Sequence, residues 1–384
     1  MQAPVKKYSP STLISLALTV VIVIWGPSTP WINTIHWKIY DGLMKAKAGF
    51  TPPAAQINDI LLVMIDNSTI QNMEHSWPYP RADFAQVIAN LKKANPKIIA
   101  FDFAFYGASS EENDNRLAEE ISAARIILPS TINEDGSLSS WAQRASSKNV
   151  PTGIVTKILD KDGITRRNLT YVVNESNRLQ GFLSWEMQIL RYVKSVDFSN
   201  FVSHPNLAEF KNSLGEKWSL SLDPDTNAFL INFRAHTQGF KRLSFYDVYR
   251  GNFEPRLVKG KIVLVGLFSS LLGDIHNTPI GWIPGSTLNA NAFLTLYSHD
   301  FLRPVARFWE ILAILAGVIS SCFLINHFTG KWPCFFILFE ILIFIFASYG
   351  LLRIGYFWDY FLFPLAVFAA PYFGKKIAEI FKLI

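Results

Sequence analysis

Residues 60–105 read "ILLVMIDNSTIQNMEHSWPYPRADFAQVIANLKKANPKIIAFDFAF". Two apolar runs, Ile60–Ile65 and Ile98–Phe105, enclose a segment of different period. Phe84, Val87, Ile88 and Leu91 recur at helical spacing, and Pro96 stops that helix. The two runs do not alternate with polar residues as a half-wet sheet would, so they predict strands covered on both faces. A strand, a helix and a strand in this order predict a parallel pair with a right-handed crossover. The fold class is therefore α/β, with a mostly parallel sheet and helices on both faces.

Further runs predict strands at Ile126–Leu128, Leu169–Val173, Phe229–Phe233 and Ile262–Val265. Residues 113–122 and "WEMQILRYV" predict helices. Residues 130–170 are polar, with "NEDG" and "DKDG" as turn signals, and predict loops with a few antiparallel strands.

The rest of the chain is of another kind. Of 384 residues, 50% are hydrophobic and only 17% charged, against about 25% in an average protein. Membrane segments account for this. Leu13–Trp25 is one candidate span, read as an uncleaved anchor. Three more begin at Phe308 ("FWEILAILAGVISSCFLI"), Pro333 ("PCFFILFEILIFIFASYGLL") and Tyr356 ("YFWDYFLFPLAVFAAPYF"). With four spans, Lys6, Lys7, Lys331, Lys375, Lys376 and Lys382 fall on one side, which the positive-inside rule makes the cytoplasm. Arg303, Arg307 and Arg353 fall on the other. The expected division is a cytoplasmic end with a signal anchor (1–29), an extracytoplasmic domain (30–305), an all-α transmembrane region of three helices (306–375) and a short cytoplasmic tail (376–384). In residues 31–50, Trp31, Ile35 and Ile39 recur every four positions, which predicts an amphipathic stalk against the α/β core or a second subunit. Glu310, Glu340 and Asp359 lie in or near spans, where ionisable groups are costly.

The net charge of +6 is scattered, without a basic block, so nucleic acid is not an expected partner. The two cysteines, Cys322 and Cys334, belong to the membrane region, so no disulfide framework holds the polar domain. No nucleophile elbow, P-loop or zinc-spaced motif occurs.

Three carboxylates stand out. Asp66 ends its strand, Asp102 lies inside "IIAFDFAF", and Asp274 follows a strand and loop. Parallel sheets gather functional groups beyond the carboxyl ends of their strands. If the three strands are neighbours, the carboxylates form a site for a cation or cationic ligand, or a paired-carboxylate hydrolase. The structural alternative has Asp66 as a cap, Asp102 paired with Arg81 and Asp274 opening a turn. Arg81 opens a helix, where a cation needs a compensating carboxylate. Trp77 and Tyr79 supply an aromatic surface for its guanidinium or for a pocket. His276 lies near Asp274.

"ILLVMIDNSTI", "SWPYPRADFAQVIANLKKANPKIIAFDFAF", "GKIVLVGLFSSLLGDIHNTPI" and "IPGSTLNANAFLTLY" occur in the order of a CHASE2 domain, which the chain resembles over nearly its whole length. That resemblance implies an extracytoplasmic sensor between an anchor and about three membrane helices. The matching positions are Asp66, Trp77, Pro78, Arg81, Asp102, Gly266, Asp274, Thr278, Pro279, Gly285, Ala290 and Asn291. Where the family often has a histidine before its Ala-Asn pair, this sequence has Asn289. Candidate ligand-binding residues are thus Asp66, Trp77, Arg81, Asp102, Asp274, His276 and Asn289. No cofactor and no enzymatic activity are expected.

Family members usually continue into a cytoplasmic kinase or cyclase, whereas this sequence ends about ten residues after its last span, so a separate effector is expected. Expected partners are an unknown extracytoplasmic ligand or protein, that cytoplasmic or membrane effector, membrane lipid and a second copy in a homodimer. An envelope scaffold and an extracytoplasmic hydrolase are the alternative functions.

Overall fold

The computed structural model describes residues 9–105, 109–132, 138–139, 150–173, 181–204, 206–358 and 361–381. The chain folds as two units: residues 48–302, and residues 1–47 together with 303–384.

Unit 48–302 is built on a seven-stranded sheet. Its parallel core consists of β1 (Ile60–Ile65), β2 (Ile98–Phe101), β3 (Ile126–Ile132), β4 (Lys241–Ser244) and β5 (Ile262–Leu267). The order across the sheet is β4, β1, β5, β2, β3. Thr152–Ile154 pairs parallel with β3, and Leu138–Ser139 pairs antiparallel with it.

The uniform apolarity of the strands reflects cover on both faces. Leu61, Val63 and Ile65 of β1 join Ile99, Phe101, Val263 and Val265 in one cluster. Helices α4 (Arg81–Lys93), α5 (Glu111–Ser122) and α7 (Phe245–Arg250) close that side. The alternate residues, among them Leu62, Ala100 and Leu264, are equally buried. Period-two geometry turns them to the other face, where α6 (Trp185–Lys194) and α8 (Gly285–Tyr297) pack on β2, β3 and β5.

Several expectations change. The first and second strands are not direct neighbours, because β5 lies between them. β2 stops at Phe101, so Asp102 follows the strand. The run expected at 169–173 is two strands, Arg167–Leu169 and Tyr171–Val173, because the Thr170 N–H donates to Asn227 O instead (3.2 Å). The run from Phe229 is a strand only over Ala228–Leu230. The "NEDG" turn, Asp359 and the terminal lysines Lys6, Lys7 and Lys382 lie outside the described residues.

The other unit contains α1 (Pro10–Trp25), α2 (Pro30–Phe50, through Lys47), α9 (Arg307–His327), α10 (Trp332–Arg353) and α11 (Phe363–Ile380). Among the described residues three segments are long and apolar enough to cross a membrane: Pro10–Ser28, Arg307–His327 and Trp332–Arg353. The expected fourth span differs: Tyr356–Phe357 forms a short strand, and its helix starts only at Phe363. That helix packs on α1 through small residues. Ala366, Ala370, Gly374 and Ala378 line one face of α11, and Ser11, Ser15 and Thr19 line α1, all buried. Close approach of small residues is how helices associate in lipid. Glu340 is satisfied inside the unit by the hydroxyls of Ser320 and Ser321, and Glu310 pairs with Arg307 at 2.6 Å.

Helix α2 turns a face to this unit that differs from the predicted stripe. Ile32, His36, Tyr40, Met44 and Lys47 are buried, while Trp31 and Ile35 are exposed. His36 and Tyr40 meet Phe361 and Phe357. Lys47 Nζ donates to the carbonyl of Leu352 at the end of α10 (2.5 Å), where a helix terminus favours a cation. The same segment receives Arg303 N–H on Gly355 O and Val305 N–H on Phe357 O, both at 2.8 Å.

A Cβ on Gly374 would lie 2.1 Å from Ser15 Oγ, 2.9 Å from Ser11 O and 3.0 Å from Ser15 N, whereas one on Gly350 would meet nothing within 4 Å. Gly374→Val should therefore cost about 1–3 kcal/mol, read as denaturant unfolding of the full chain in micelles. Gly350→Val, also helical, is the control for propensity and should not show that loss.

Candidate functional site

Beyond the carboxyl ends of β2 and β5, Asp102 meets the first turns of α8. Its N–H still donates to Val265 O (2.9 Å), which holds it to the sheet after the strand has ended. Every residue of α8 is buried, in keeping with a sequence, "GSTLNANAFLTLY", that carries no acid or base except Tyr297.

Two glycines let this helix come close. A Cβ on Gly266 of β5 would stand 1.9 Å from Ser286 Oγ, and one on Gly285 would stand 2.3 Å from Asp274 Oδ2. The Asp274 carboxylate thus lies at the positive end of α8. Asn289 Nδ2, one turn further, donates to Asp102 Oδ1.

Asp102 Oδ2, Asn289 Oδ1 and Ser286 Oγ are closed off from solvent and have no hydrogen-bond partner among the described residues. Burial pushes the Asp102 carboxyl up to about 7. Lys157 and the neighbouring Ser286 hydroxyl pull it down, while Asp274 and Glu186 raise it further. Glu186 is buried, the Lys157 side chain is 10% exposed, and the two close into a triangle with the buried Asn168. Lys157 Nζ donates to Glu186 Oε1 (2.9 Å) and Asn168 Oδ1 (2.7 Å), and Asn168 Nδ2 donates to Glu186 Oε2 (2.9 Å). A carboxyl that keeps its proton near neutrality can donate a hydrogen bond as well as accept one. That gives this cluster two chemical states.

Asp274 accepts from His276 Nε2 when that nitrogen is protonated (3.1 Å). His276 belongs to a hairpin of β6 (Ile275–Thr278) and β7 (Gly281–Pro284), which leads directly into α8.

The remaining candidates lie elsewhere. Asp66 caps α3 (Asn67–Asn72): its Oδ1 accepts from Thr69 N (2.8 Å), Thr69 Oγ1 (2.8 Å) and Ser244 Oγ (3.2 Å). It also lines a cleft of about 350 Å³ with Met64, His236, Arg242, Phe268 and Trp282. Trp77 and Arg81 are on the opposite face of the sheet. Trp77 packs edge-on against Tyr79, Phe84 and Phe103. Arg81 pairs with Asp114 of α5 and donates to Phe105 O (3.3 Å), so its carboxylate is not Asp102. Asp114 is nearer because α4 and α5 pack side by side on that face.

The seven sequence candidates therefore divide into three places: Asp102 with Asn289, Asp274 and His276; Asp66 in the cleft; Trp77 and Arg81 in the opposite layer. Among the described residues no group of three or more His, Cys, Asp or Glu is placed to hold a metal ion. Sequence reading missed Ser286, Lys157, Glu186, Arg242 and Trp282. Ser286 had a signal, since it falls one turn before Asn289 in a helix without charge. Lys157 had none, being a lysine in a polar stretch.

Residues 15–324 match the family described as CHASE2 domain. The chain belongs to the CHASE2 family. No curated protein and no solved structure matches it. CHASE2 is a family of sensor domains, which supports a sensing role for this chain. The match takes in most of α1, the sheet, α8 and most of α9.

The proton on Asp102 makes the stability of this CHASE2 domain depend on pH. An unfolded aspartate gives its proton up near pH 3.8, while the fold retains it to about pH 7. Between those values the native state binds more protons than the unfolded one. Stability therefore falls as pH rises through the window and levels off above it. Asp102→Asn should flatten that part of the curve, with the largest gain over the parent chain above pH 7, as measured by denaturant unfolding at a series of pH values.

Proposed function

We propose that this chain is a membrane-anchored sensor. Its 48–302 unit is extracytoplasmic and receives a ligand or protein, and its membrane helices relay the resulting change to a separate effector. One observation carries the reading. The two connections of the sensor domain to the membrane helices, at Lys47 and at Arg303–Val305, are both hydrogen-bonded to residues 352–357 between α10 and α11. A change in the spacing of those connections strains that segment and with it the α10–α11 hairpin. Domain motions are transmitted through such packed, hydrogen-bonded joints.

In this reading α11 is a fourth span and both termini are cytoplasmic. The small-residue contact between α11 and α1 supports the fourth span, and the lysine distribution supports the orientation. The aqueous response begins at the carboxyl ends of β1, β2 and β5.

An envelope scaffold is the second reading, favoured by the firm internal pairing of Arg81, Lys157 and Glu186. The two differ in what they capture. Leu214 is 90% exposed, so a Leu214→Cys chain should react with a membrane-impermeant maleimide from the outer side of intact inner membranes, and the parent chain should not. A photo-cross-linker at Phe381 should then capture a kinase, cyclase or comparable effector, with a yield that changes in Lys47→Met. Labelling of Leu214→Cys only after lysis contradicts the topology. Capture of envelope structural proteins alone, unchanged by Lys47→Met, supports the scaffold.

A further inference from the structure

The cleft at the end of β1 is separate from the buried Asp102 cluster and has a charge pattern of its own. Strand order fixes its layout. Met64 and Asp66, at and just beyond the end of β1, form the middle. Arg242 of β4 and His236 of the preceding loop lie on one flank, since β4 pairs with β1 on that side. Phe268, just after β5, and Trp282 of the β6–β7 hairpin lie on the other.

The polar groups in it have unused capacity. Asp66 spends Oδ1 on its cap, and its Oδ2 has no partner among the described residues. Arg242 makes one bond, Nη1 to Gln238 O at 3.2 Å, and no ion pair among the described residues, leaving four N–H donors. Trp282 is 71% exposed on its hairpin. An indole left in water beside a cleft gains by stacking on or covering an apolar group.

A simple anion would meet Arg242 and His236 but be repelled by Asp66. A simple cation would meet Asp66 and face Arg242. A molecule that carries both charges satisfies each. The volume of about 350 Å³ is at the small end of ligand pockets, about 300–1,000 Å³, which suits an occupant the size of a single residue. We propose that the cleft binds a free amino acid with an apolar side chain. Its carboxylate pairs with Arg242, its ammonium with Asp66 Oδ2, and its side chain lies against Trp282 and Phe268. Charge-assisted bonds at both ends give orientation and exclude singly charged analogues. This assignment rests on the sensor reading and names its ligand class. Because Trp282 is on the hairpin that opens α8, an occupant there presses on the element that carries Ser286 and Asn289.

The test is calorimetric titration of the full chain in lipid nanodiscs with L-leucine, L-phenylalanine, N-acetyl-L-leucine and L-leucinamide. The free amino acids should bind, and each blocked analogue should bind at least tenfold more weakly. Arg242→Gln, at an exposed position, should weaken leucine at least tenfold. Asp66→Asn should do the same while keeping the cap, since asparagine caps helices as well as aspartate; unchanged thermal unfolding of both variants verifies the fold. Absence of binding by either free amino acid overturns the proposal, as does equal binding of the blocked analogues or unchanged binding by correctly folded Arg242→Gln. The capture and labelling experiments on the sensor reading do not involve the cleft. Their success beside an empty titration removes the amino acid and leaves the sensor.

Discussion

Helix α8 has no solvent face, and it reaches the sheet where β5 carries Gly266 instead of a side chain. This contact organises the carboxyl end of the domain. It brings Ser286 to the sheet, aligns Asn289 with Asp102, and places the start of the helix over Asp274. A larger residue at 266 would have to displace Ser286 or the helix itself. The buried polar cluster exists because the backbone approaches closely, and Asp102 keeps its proton because that approach removes water.

The same contact connects two chemistries. On one side is a carboxyl balanced near neutrality between burial and Lys157. On the other is an open cleft with a carboxylate, a guanidinium and an exposed indole. The hairpin of β6 and β7 belongs to both, through His276 and Trp282. In the helical unit, Lys47 and Arg303–Val305 converge on the 352–357 segment. The proposed relay would draw on both: a site that changes in one unit and a hydrogen-bonded joint in the other.

Much of the fold was legible because its signals are local. Continuous apolar runs marked β1, β2 and β5, and helical spacing with Pro96 marked α4. The order of strands was not legible, since β5 enters between β1 and β2 from more than 150 residues away. The pairing of Arg81 failed for the same reason. A guanidinium at a helix start called for an acid, but which acid depended on the neighbouring helix, and α5 supplied Asp114. Asp102, Asp274 and Asn289 were found from their place at strand ends and from the family motifs. Lys157 and Glu186 were not, because a lysine in a polar stretch and a glutamate in the first turn of an amphipathic helix both look like solvated charges. The stalk's spacing did not reveal which of its faces the chain itself covers: Trp31 and Ile35 have the apolar period, yet the face buried within the chain runs through His36, Tyr40 and Lys47.

The proposed relay from the sensor domain to the helical unit is tested most directly by disturbing the β5–α8 contact and reading the helices. Gly266→Ala perturbs that contact directly without touching the helical unit. Spin labels at Leu338→Cys and Phe368→Cys, both exposed on α10 and α11, with Cys322 and Cys334 replaced by serine, would report the distance between those helices in nanodiscs. The account predicts that Gly266→Ala shifts or broadens that distance distribution relative to the parent chain. A distribution superimposable on the parent's, in a protein whose amide exchange shows α8 displaced, would contradict it.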